Sequence, residues 1–97
     1  MPKSPESAQA PNNSKSGAIA YKYLNKTTLL RVGFSEHPET YLVNISGTTL
    51  DDHKVEVSRV YDELHPLMAI GRAVTEFYDN YVCGRIGSII IKQRVVK

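Results

Sequence analysis

An α+β domain is the class this chain predicts: a mainly antiparallel sheet of four to five strands, in the order β-β-β-β-α-β, with one amphipathic helix on one face. Three features predict it. Leu64–Val82 carries apolar residues at helical spacing, Ile86–Ile91 just behind it is the most apolar run, and Thr40–Ser46 alternates with period two. A helix followed at once by so apolar a strand is the spine of a small domain, and the segments before it are expected to pack onto that spine.

Met1–Gly17 holds three Pro, four Ser, two Asn and two Lys, with no large apolar residue after Met1. Such a segment buries too little surface to offset its ordering entropy, so it is expected to be a disordered tail. It has neither the apolar core of a secretory signal nor the Arg content of a transit peptide. Residues 18–97 are then a single domain.

Ile19–Leu24 reads as a short strand with Tyr21 and Tyr23 on one face. Thr27–Phe34 reads as a second strand, placing Leu30, Val32 and Phe34 on one side; the two can also form one bent strand. Ser35–Pro38 is turn chemistry, because a residue before Pro is pushed out of the helical region. Thr40–Ser46 sends Tyr41, Val43 and Ile45 one way and Leu42, Asn44 and Ser46 the other. Thr49–Glu63 fits either a helix through Leu50, Val57, Val60 and Tyr61 or a strand. Its β-branched content favours the strand, with Asp51–Lys54 as a hairpin loop.

In Leu64–Val82 the apolar steps from Leu67 through Ile70, Val74 and Phe77 to Tyr81 form one stripe, widened by Met68, Ala73 and Tyr78. Pro66 suits a first helical turn, Asp62 or His65 sits near the cap, and Gly84 is the expected left-handed stop. Arg72 and Glu76 have the spacing of a surface pair. The expected inner contacts run from Leu67, Ile70, Val74 and Phe77 to Leu30, Val32, Val43, Ile45 and Ile89. Ile86–Val96 is β-branched, with a first half apolar on both faces, as a central strand requires.

About 80 residues bury only ~60–65% of their unfolded surface, which leaves self-association as a source of added stability. The single Cys83 forbids an internal disulfide and suits a reducing, cytoplasmic compartment. An apolar run of three residues, Ile89–Ile91, is far short of the ~20 a membrane span needs.

The net charge of +2 is small, but its distribution is uneven. Glu36–Asp79 holds nine acids against Lys54, Arg59 and Arg72, while both chain ends are basic. Tyr21, Lys22, Tyr23, Lys26 and Arg31 can share a sheet with Lys92 and Arg94, provided the two segments are neighbours. Cations that follow phosphates beside rings that stack bases are how single-stranded nucleic acid is held.

The scattered His37, His53 and His65 lack the short spacing of a zinc site, even with Cys83. Asp51-Asp52 and Asp62-Glu63 flank turns, where acids are solvated. Cys83 at a helix C-terminus is expected to be a packed thiol, since the dipole there disfavours a thiolate. No phosphate loop, dinucleotide fingerprint or nucleophile elbow is present, so no enzyme, metal or cofactor is expected. The expected function is a non-enzymatic, self-associating binding module for single-stranded nucleic acid. A protein adaptor or inhibitor is the alternative.

Overall fold

The computed structural model describes residues 19–96; the tail expected over Met1–Gly17 lies outside them. The elements are β1 (Ile19–Tyr23), α1 (Lys26–Arg31), β2 (Glu39–Thr48), β3 (Lys54–Glu63), α2 (Pro66–Asn80) and β4 (Arg85–Val96). The strands form one antiparallel sheet in the order β1-β4-β2-β3, with β4 and β2 central. The long helix lies between β3 and β4 in the chain and covers one face, so the predicted α+β class holds.

One expected strand is absent. Thr27–Phe34 forms no strand: Lys26–Arg31 is a helix. The local reason is Asn25, whose side chain accepts a hydrogen bond from the Thr28 N–H at 2.9 Å and caps the first turn. As a helix the segment lays Leu29 against the core and leaves Leu30 and Phe34 exposed, so Leu30 makes none of the expected inner contacts.

Thr49–Glu63 resolves as the strand. β2 and β3 pair from Glu39↔Glu63 to Thr48↔Lys54 without a register shift. The loop between them is closed by the Thr49 N–H donating to the His53 carbonyl at 2.8 Å, with Asp52 at φ 66°.

Helix α2 begins as expected. His65 is the N-cap and Pro66 follows it. The Leu67 N–H donates to His65 Nδ1 at 3.1 Å, and Nε2 lies 3.0 Å from the Val32 carbonyl oxygen. The ring thus ties the first turn of α2 to the segment that follows α1.

The buried face of α2 is turned from the expected stripe. Pro66, Ala69, Ala73 and Phe77 are buried, while Leu67 is 50% exposed. Size explains the rotation. The inner sheet face supplies Tyr41, Val43, Ile45, Tyr61 and Ile91, all nearly fully buried. Small helix residues let the backbone settle onto those large side chains at interior density. Ile70, Val74 and Tyr81 seal the flanks.

The far end of α2 differs from the glycine stop. Tyr81 is the C-cap, and the left-handed residue is Cys83 at φ 66°, not Gly84. Cys83 is exposed, not packed. Gly84 is needed for space instead, since a Cβ there would lie 2.9 Å from the Tyr81 carbonyl oxygen. A second close approach occurs at Gly47, beside a bulge. The β2–β4 register passes from Ser46↔Ser88 to Gly47↔Ile86, which leaves Gly87 unpaired. A Cβ on Gly47 would collide with the Arg85 carbonyl oxygen and lie 2.9 Å from Phe77 Cζ.

Two stability changes follow. Gly47→Ala forces Phe77 and the bulge apart and should lower unfolding free energy by about 1–3 kcal/mol in urea denaturation. Cys83→Gly relieves a left-handed L-residue; it should raise stability by roughly 0.5–1 kcal/mol, a few degrees in a thermal melt. A lower melting temperature for Cys83→Gly would contradict the φ assignment.

Candidate functional site

Strand alternation sorts the polar residues onto two faces. The face under α2 carries one polar cluster. The Tyr61 hydroxyl donates to Glu76 Oε1 at 2.9 Å, and Arg59 Nε lies 3.5 Å from the same oxygen. Arg72 Nη1 donates to Glu63 Oε2 at 2.7 Å, and its guanidinium carbon sits 4.8 Å over the Tyr61 ring. The Arg72–Glu76 pair expected from spacing does not form; each takes a partner on β3 instead. The charges are paired within the cluster, which braces α2 to β3.

The other acids diverge. Asp62 accepts from the Thr40 hydroxyl at 2.6 Å on the face away from α2, while Glu63 points to the helix side. Asp52 pairs with Arg85 at 2.8 Å. Among the described residues no three His, Cys, Asp or Glu side chains converge to hold a metal ion, and no helix is long and apolar enough to cross a membrane.

The face away from α2 is the open one. Among the described residues no helix packs over it, and Tyr23, Val60 and Ile90 are 61%, 54% and 40% exposed. It has two unlike halves. The β2–β3 half is a polar ladder: Asn44 Nδ2 donates to Ser58 Oγ at 2.7 Å, Ser46 faces Glu56 at 3.3 Å, and Thr40 faces Asp62. The β1–β4 half is aromatic and cationic. Its register sets Tyr21 opposite Arg94 and Tyr23 opposite Lys92. Cross-strand partners share a face with Cβ atoms about 5 Å apart.

Four of the seven residues singled out from the sequence therefore come together: Tyr21, Tyr23, Lys92 and Arg94. Lys22 does not join them, because it is paired with Gln93 and alternation sends it to the α2 side. Lys26 and Arg31 stand at the two ends of α1, off the sheet.

Arg85 joins the open face instead. Strict alternation from Lys92 would put it on the α2 side, but Gly87 adds one residue and restores Arg85 to the side of Lys92, opposite Thr48. Only a recognised bulge would have revealed it. Two depressions of about 620 and 300 Å³, sharing Glu56, run from Arg85 to Lys92 along this face.

No family model, curated protein or solved structure matches the chain.

The brace has a pH signature. Burial pushes the Tyr61 phenol up to about 12, helped by its hydrogen bond to the Glu76 carboxylate and opposed by Arg59 and Arg72. The folded value lies above the unfolded 10, so the folded state holds the proton longer. This stabilisation is complete below pH ~10 and is lost as pH rises toward ~12. Its size is on the order of 1–2 kcal/mol, given that Glu76 is partly solvated. Stability measured between pH 9 and 11.5 should fall in the native chain and fall less in Tyr61→Phe; parallel profiles would contradict this role.

Proposed function

We propose that this chain is a non-enzymatic binding module whose open sheet face takes single-stranded nucleic acid. The observation that carries the reading is the β1–β4 register, which puts two tyrosine rings directly opposite two cations on the face α2 leaves bare. Tyr21 and Tyr23 are two residues apart on one strand, so their rings sit about 7 Å apart. That spacing is within reach of successive bases of an extended strand. Lys92 and Arg94 take the phosphates. The acids Glu56 and Asp62 lie toward β3, which confines a polyanion to the β1–β4 half. A flat π-face with no base-edge donors or acceptors fixed beside it favours binding with little sequence preference. A cytoplasmic setting goes with this reading.

A protein partner on the same face is the second reading. It rests on the apolar pair Leu42↔Val60, with Ile90 beside it. A protein held there would be lost with Ile90→Asp and would tolerate reversal of Lys92 and Arg94.

Anisotropy with a labelled mixed-sequence oligonucleotide separates these outcomes. The double change Tyr21→Ala, Tyr23→Ala should weaken binding about tenfold or more, since stacking is worth ~1–3 kcal/mol per base. Lys92→Glu with Arg94→Glu should abolish it at moderate salt, and affinity should fall steeply with salt. Lys22→Glu, the same charge reversal on the α2 side, should matter far less. Equal losses from Lys22→Glu and Lys92→Glu, or affinity unchanged up to ~0.5 M salt, would sink the proposal.

A further inference from the structure

The two edges of the sheet are unlike. β1 is five residues long, whereas β3 offers ten residues with no proline and no register shift against β2. Short, bulged or proline-bearing edges resist strand pairing; a long regular one invites it. A solitary β3 leaves a row of backbone N–H and C=O groups to water.

We propose that β3 pairs antiparallel with β3 of a second copy of this chain, forming a symmetric dimer with one continuous eight-stranded sheet. A two-fold axis through the sheet keeps both α2 helices on the same side, so residues of like face must meet. This restricts the register to a few choices, and charge selects among them. Centring on Ser58 sets Lys54 opposite the second copy's Asp62, twice over by symmetry, and brings no like charges face to face. It also sets Glu56 opposite Val60, and Val55 opposite Tyr61. Centring on Val57 pairs no opposite charges. Centring on Arg59 opposes Arg59 to itself and Glu56 to Asp62, which is repulsive. Lys54 and Asp62 are both exposed on the open face. Asp62 accepts from Thr40 with one oxygen, and among the described residues no hydrogen bond engages the other.

The helices accommodate the pairing. α2 lies across β2 and β3 more than β4. With strands about 4.8 Å apart, the two helices then stand roughly 10–14 Å from each other across the axis. The flank of α2 nearest β3 carries a depression of about 550 Å³ lined by Met68, Gly71, Arg72, Thr75 and Glu76. Met68 is 43% exposed there, and nothing lies within 4 Å of where a Gly71 Cβ would be. In the dimer this is the side on which the second copy's helix approaches. The expected self-association is thus assigned to a sheet edge and not to the open face, which stays bare in both copies. The proposal is therefore independent of the nucleic-acid reading.

Light scattering of the full chain, with folding checked by circular dichroism, tests the pairing. The native chain should weigh as two copies. Lys54→Glu or Asp62→Lys alone should weaken association about tenfold or more, because each turns two attractions into repulsions. Both changes together should restore it. In a Cys83→Ser background, Ser58→Cys should crosslink readily on oxidation, since each Ser58 faces its own copy, and Val60→Cys should not. A single-chain mass at every concentration overturns the proposal. So does a dimer that ignores both charge reversals or that crosslinks no better through Ser58→Cys than through Val60→Cys.

Discussion

The seating of Ala69, Ala73 and Phe77 on Tyr41, Val43, Ile45, Tyr61 and Ile91 is the contact on which the rest of the molecule depends. A chain of this size has one long helix to set against one sheet. The helix offers small residues and the sheet large ones, so the two backbones approach closely and the core closes with few side chains. Phe77 is the one large helix residue at its centre, and its ring reaches over Gly47 beside the bulge. Truncating a core aromatic of this kind typically costs 3–5 kcal/mol, a large share of what a small domain has.

Because the one long helix covers one face, the described residues leave the other open, and this shapes the functional reading. A bare sheet face survives only if it is not uniformly apolar. Here the β2–β3 half answers its polar groups by cross-strand hydrogen bonds, while the β1–β4 half sets tyrosines beside cations. The face is mixed, with Leu42, Val60 and Ile90 lying between the polar pairs and the tyrosines. Among the described residues the β3 edge has no strand beside it.

The brace on the helix side links these two regions. Tyr61, Glu76, Arg59, Arg72 and Glu63 tie α2 to β3, which fixes the helix over the half of the sheet that holds the free edge. Helix position, edge strand and bare face are therefore consequences of one packing choice. Two glycines and one bulge permit it, and His65 anchors it by capping α2 while reaching back to Val32.

Local chemistry alone determined much of this protein. The periodicities of Thr40–Ser46, Ile86–Val96 and Leu64–Val82 specified two central strands and the long helix, since each pattern is a property of neighbouring residues. Alternation likewise marked Tyr21 and Tyr23 as sharing a side; Lys22, grouped with them for its charge, falls on the opposite side. Asn25 capping overrode the alternation of Thr27–Phe34, a local signal that the apolar pattern does not carry. Two matters needed the folded chain. The rotation of α2 toward its alanines depended on the bulk of the facing sheet. The bulge at Gly87, which moved Arg85 to the open face, arises from pairing between segments some forty residues apart. Which side of a strand meets which neighbour is a long-range fact, and no window of sequence contains it.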